Sequence, residues 1–144
     1  MKICADFILE RLPGREGEPP RSRLIHKGAE LPVVVEGVVL ETQVLLADGR
    51  YLLVLTDDCP FEEQVHVILL DRFLRVRDRY RFGKPYTPGV VESVAAKENT
   101  LRFLFAGLHF EVKVREKPDT FQWGARLIRY LQVTTTPAAP REPA

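Results

Sequence analysis

The densest run of side chains that could do chemistry lies between residues 73 and 82, FLRVRDRYRF. Read as a strand, it puts Phe73, Arg75, Arg77, Arg79 and Arg81 on one face and Leu74, Val76, Asp78, Tyr80 and Phe82 on the other. Four guanidinium groups then stand in a row, about 7 Å apart. The planar fork of arginine grips two oxygens at once, so such a row would bind phosphate, RNA or an acidic protein partner. The competing arrangement is a solvated face whose arginines pair across strands with Glu62, Glu63, Glu92 and Glu111, at about 0.2–1 kcal/mol a pair. Lys+Arg number 21 and Asp+Glu 20, a formal net charge of +1. That balance favours ion pairing over a bare ladder and gives little long-range pull toward nucleic acid or an anionic membrane. The face also lacks the interleaved aromatics that stack bases, since Phe73 stands alone.

Asp78 shares its face with Leu74, Val76 and Tyr80, where a carboxylate is costly unless it is hydrogen-bonded. A bulge or a barrel-mouth position accounts for it more simply than a binding group inside a barrel. If the fold does enclose a small molecule, Asp78, Tyr80 and Trp123 are the candidate lining groups. Tyr86 stands between Pro85 and Pro88 in the loop GKPYTPG. The prolines would hold it as a rigid rim or, more simply, as a cap on one end of the fold.

Other constellations are weaker. Asp57, Asp58, Glu62 and Glu63 crowd one loop, but their spacing is not that of an EF-hand, and a solvated acidic loop is expected. Cys59 in that loop is surrounded by acids, which oppose thiolate formation. His26, His66 and His109 show no metal-ligand spacing, and a dyad with Cys59 has no positive support. Phosphate-binding glycine loops and GxSxG are absent. No metal site or cofactor is implied, and the balance leans away from an enzyme.

The elements that must position these residues are mostly strands. Residues 2–11 alternate with period two; 13–23, PGREGEPPRSR, reads as a loop; 33–46 is one long β-prone run with a bend or bulge at Gly37. Asp48-Gly49 between LETQVLLA and RYLLVLT signals a hairpin with a type I′ turn. Strands follow at 64–70, 73–82, 90–96, 100–106 and 109–116. The segment 119–132 has a helical period, with Asp119 as N-cap, Gln122 as its capping-box partner, and Gln122, Arg126 and Arg129 on one polar face. Gly124 weakens that helix by about 1 kcal/mol relative to alanine. Residues 134–144, TTTPAAPREPA, read as a disordered tail.

The chain is therefore expected to be mainly β: an antiparallel meander of about seven or eight strands in a barrel or sandwich, with one C-terminal amphipathic helix, over residues 1–133. Two isolated cysteines, the lack of a signal-like N-terminus and the lack of a long apolar run point to a cytoplasmic protein with reduced thiols and no membrane segment. Three functions follow in order. The first is a non-enzymatic binding or interaction module that meets an acidic protein or peptide through the Arg75–Arg81 face. The second is a small-molecule carrier, and the third an enzyme using Cys59 or a carboxylate.

Overall fold

The computed structural model describes residues 1–123 and 125–138, with side chains described outside 119–128. Its strands are β1 (Lys2–Ile3), β2 (Phe7–Arg11), β3 (Arg21–His26), β4 (Ala29–Glu36), β5 (Val39–Leu45) and β6 (Tyr51–Thr56). They continue with β7 (Gln64–Leu70), β8 (Val76–Gly83), β9 (Glu92–Lys97), β10 (Thr100–Phe105), β11 (Leu108–Trp123) and β12 (Ala125–Pro137).

The apolar runs YLLVLT and QVHVILL dictate the architecture. All six residues of β6 and six of the seven of β7 are buried. A sheet with one wet face would alternate, so burial at consecutive positions requires cover on both sides. Strands β1-β5-β6-β7-β8 form a central five-stranded antiparallel sheet. Its Leu52, Val54, Val67 and Leu69 pack against Leu101, Phe103, Phe110 and Val112 of a four-stranded sheet, β12-β11-β10-β9. Its opposite face, with Tyr51, Leu53, Leu55, Ile68 and Leu70, packs against Phe7, Leu24 and Val35 of a three-stranded sheet, β2-β3-β4. Two cores thus share one sheet.

This corrects several expectations. The fold is mainly β and antiparallel, but it has twelve strands in three sheets and no closed barrel among the described residues. The segment expected as a helix, 119–132, is strand at 119–123 and 125–132: β11 and β12 pair from Leu108↔Pro137 to Trp123↔Ala125. Its composition allowed this outcome. Phe121, Trp123, Tyr130 and Val133 favour strands, Gly124 disfavours a helix, and β11 gains a partner strand on either side of an irregularity between Val114 and Asp119. Thr134, Thr135 and Thr136, expected in the tail, pair with Glu111, Phe110 and His109. The rest of that tail, 139–144, lies outside the described residues.

At Gly37 the 33–46 run breaks into β4 and β5 as the chain passes from the three-stranded to the central sheet. Gly37 has φ +106, and a Cβ there would stand 2.8 Å from Leu55 Cβ, so only glycine fits. The Asp48-Gly49 hairpin forms, joining β5 to β6, but not through a type I′ turn. Gly49 alone has positive φ, Gly49 N donates to Leu46 O at 3.0 Å, and Leu46 N donates to Arg50 O at 2.8 Å. These bonds mark a three-residue loop, Ala47-Asp48-Gly49. Among the described residues no helix is long and apolar enough to cross a membrane.

Candidate functional site

Strand β8 borders the central sheet, and its register decides where the expected site residues point. Leu69 pairs with Asp78 but Leu70 pairs with Val76, so Arg77 is an extra, bulged residue. The bulge divides a face that sequence alternation treats as continuous. Leu74 and Val76 join the core under β2-β3-β4. Tyr80 and Phe82 join the opposite core, where Phe82 meets the Phe110 ring edge-on at 5.1 Å.

Asp78 is the one buried residue of β8, and the bulge expected beside it is present. Its carboxylate is saturated. Oδ1 accepts from Arg79 N at 2.8 Å and Arg129 Nη1 at 3.1 Å, and Oδ2 accepts from Tyr130 N and Leu131 N, both at 2.9 Å. These two amides belong to β12, opposite an irregularity in β11 between Val114 and Asp119. Asp78 therefore ties the edge of the central sheet to the edge of the four-stranded sheet, satisfying two backbone donors of the edge strand β12.

The arginines form two groups rather than one evenly spaced ladder. Arg75 and Arg77 both converge on Asp71 Oδ2, at 3.4 and 2.7 Å. Asp71 also accepts from Phe73 N and Arg75 N, at 2.8 and 3.0 Å. Burial acts to raise the Asp71 pKa, but the backbone and guanidinium hydrogen bonds outweigh it and hold the carboxyl below its ordinary value. Past the bulge, Arg79 and Arg81 lie opposite Ile68 and His66. Arg81 reaches Glu36 at 3.5 Å. The expected acidic neighbours serve elsewhere: Glu63 accepts from the amides of Asp57, Cys59 and Gln64, and Glu111 pairs with Arg102. Among the described residues the Arg79 guanidinium has no carboxylate partner.

Beside Arg79 runs a groove of about 430 Å³, lined by Leu31, Pro32, Val33, Val34, Phe73, Leu74, Arg75, Val76 and Arg79. It separates β4, an edge strand of the three-stranded sheet, from the turn that leads into β8. Phe73 forms one wall and is 70% exposed. The Arg75 and Arg72 guanidinium carbons lie 5.4 and 5.9 Å from the centre of its ring, within cation–π range.

The remaining candidates do not join this groove. Tyr80 is half-buried with its pKa raised by burial. Tyr86 is 89% exposed and caps nothing. The side chain of Trp123 lies outside those described. Cys59 is exposed. His66 is buried with both ring nitrogens toward carboxylates, Nε2 at 2.7 Å from Asp57 and Nδ1 at 3.6 Å from Glu36. A second polar cluster, Asp6, His26 and Tyr51, has the Tyr51 hydroxyl donating to Asp6 at 2.8 Å. Burial, then that bond, pushes the Tyr51 pKa up to about 12. It stays protonated at neutral pH and serves as a structural donor rather than a base. Burial likewise raises the nearby Cys4 thiol, which opposes thiolate formation. No group of three or more potential metal ligands occurs among the described residues.

No family model, no curated protein and no solved structure matches this chain. Function must therefore be argued from its own surface. What the surface offers is an apolar groove walled by an exposed aromatic ring and rimmed by guanidinium groups. Sequence reasoning named Arg75–Arg81 but missed Asp71, Glu36 and the β4 residues that complete the groove. Asp71 was legible as a turn residue able to bond its own backbone two residues on; nothing local links β4 to β8.

Proposed function

We propose that this protein is a non-enzymatic interaction module that holds an acidic, partly apolar protein segment in the groove between β4 and the turn before β8. The carrying observation is the Arg79 guanidinium, which lacks a carboxylate partner among the described residues and stands beside Leu31, Val33, Val34 and Phe73. An arginine next to an exposed aromatic on an apolar floor is the composition of an interface centre, where Arg and aromatic anchors supply most of the affinity. A carboxylate from a partner would complete what Asp71 and Glu36 provide for the neighbouring arginines.

Affinity purification with the wild type and with an Arg75→Glu/Arg79→Glu variant tests this. Both positions are exposed, so the variant should fold. The expected result is loss of acidic partners that the wild type retains at low salt and releases at high salt. Identical partner lists would remove the proposal.

A further inference from the structure

One wall of the groove beside Arg79 is the backbone of β4. This strand pairs with β3 alone, so its other edge is open among the described residues. The bonds of β3 fix which groups stand on that edge. Leu12 N donates to Arg21 O at 3.0 Å, so the Arg21 carbonyl faces β2. Gly37 N donates to Pro20 O at 2.9 Å, so the Pro20 carbonyl faces β4. Successive carbonyls of a strand alternate in direction, so Ser22 and its partner Val35 exchange the β3–β4 bonds. Val34 and Glu36 therefore turn their N–H and C=O away from β3, onto the open edge. Pro32, next in phase, has no N–H and ends this run of donors. The open edge looks toward β8. At the far side of the three-stranded sheet, Phe7 N of β2 donates to Gln43 of β5 at 2.8 Å. On the near side, Glu36 of β4 reaches His66 of β7 at 3.6 Å and Arg81 of β8 at 3.5 Å. Arg79 and Arg81 pair with Ile68 and His66, so they lie on the face that carries Ile68 into the core beneath β2-β3-β4. A fourth strand on the open edge, about 4.8 Å from β4, would lie over these two arginines.

We infer that the acidic segment binds as an extended strand paired with the open edge of β4, completing a four-stranded cover over β8. This binding mode rests on the acidic-groove reading and adds the backbone that grips the segment. Residues of the segment opposite Val34 and Glu36 exchange main-chain hydrogen bonds with them, and their side chains point the way of exposed Val34. Residues between these stand beside Val33 and Val35, which pack toward the central sheet, and so point at the arginines. The segment is therefore acidic at alternate positions rather than in one block. Main-chain bonds supply affinity, and the guanidinium groups select carboxylates. A free edge also invites a second copy, and β4 opposes that. Pro32 interrupts its donors, and Glu30 and Glu36 place charge near both of its ends. A second β4 would bring Val33 and Val35, not carboxylates, over Arg79 and Arg81. An acidic segment of another protein is the better match.

The probes are three short synthetic peptides that alternate valine and glutamate. One is unmodified, one is N-methylated at its valines and one at its glutamates, and all carry the same charge. Binding to the full chain is followed by two-dimensional NMR and by hydrogen exchange at backbone amides. The unmodified peptide should shift the Arg79 Nε signal and protect the Val34 and Glu36 amides from exchange. Methylated glutamates should leave affinity unchanged, because with their side chains toward the arginines their nitrogens face away from β4. Methylated valines should weaken binding about tenfold or more, the scale of lost hydrogen bonds. Val34→Pro removes one donor of the open edge, spares the bonds to β3, and should weaken the unmodified peptide comparably. The peptide comparison uses the unaltered protein, so it decides even where that proline disturbs β4. Equal affinity of the two methylated peptides, or unprotected Val34 and Glu36 amides beneath a bound peptide, would overturn strand pairing and leave the acidic-groove reading standing. Failure of all three peptides to bind would sink both. Protection of Val34 and Glu36 that grows with protein concentration in the absence of peptide would make a second copy the occupant and overturn the inference.

Discussion

Strands β7 and β8 run side by side, paired from Gln64↔Gly83 to Leu70↔Val76, yet they meet opposite environments. β7 is buried at six of seven positions and β8 at one of eight, and that one is a carboxylate. The covering sheets reach across β7 and end at β8. An apolar residue suffices beneath two covers. At the border the chain needs a bulge to change faces, a buried acid to satisfy backbone groups, and charges toward water. The border is consequently where charged side chains face water.

The sharpest way to break this contrast is to damage each strand where it is most committed. Leu69→Ala removes a fully buried side chain of β7 between two sheets and should cost about 2–5 kcal/mol in chemical denaturation. Asp78→Ala should cost somewhat less, about 2–3 kcal/mol, because it strands the amides of Tyr130 and Leu131. It should also release β12 locally, seen as faster hydrogen exchange at those two amides; unchanged exchange there would deny the tie between the sheets.

Much of this contrast was legible in the sequence, and its limits are physical. Continuous apolar runs marked β6 and β7, and the alternation in VRDRYRF marked β8, because burial imposes period two on a half-covered strand. The same period hid the bulge at Arg77, since a single extra residue leaves the residue types unchanged while moving Val76 and Tyr80 into different cores. Residues 119–132 misled for a different reason. Their apolar positions satisfy a helical wheel, and only the distant demand of β11 for a partner decides the matter. With Arg129 read into a helix, the tie between Asp78 and β12 could not be anticipated. The twelve-strand, three-sheet arrangement was equally hidden, because Phe7, Leu24 and Val35 reveal their partner sheet only in three dimensions.

Smaller effects sharpen the comparison on the charged side. The Asp71 pKa is lowered in the folded state from 3.8. The stability it contributes is present above the unfolded value and is lost as pH falls through the lower folded value. Asp71→Asn should therefore lower stability by about 1 kcal/mol at neutral pH and flatten the acid limb of a pH-stability profile. An acid limb identical to wild type would show that Asp71 does not hold the turn. Arg81→Ala removes an exposed pair with Glu36 at 3.5 Å and should change stability by less than about 0.5 kcal/mol. A larger loss in thermal denaturation would place Arg81 in the structure rather than on the surface.

The claim that matters most is that, among the described residues, the Arg79 guanidinium has no carboxylate partner while its neighbours do. Hydrogen exchange at the arginine Nε groups of the free protein measures it directly. Arg77, whose Nε donates to Asp71 at 2.7 Å, should exchange slowly, and Arg79 should exchange at the rate of a solvated side chain. Equal protection of Arg79 and Arg77 would mean that the protein already satisfies this arginine, and the case for a partner at the groove would fall.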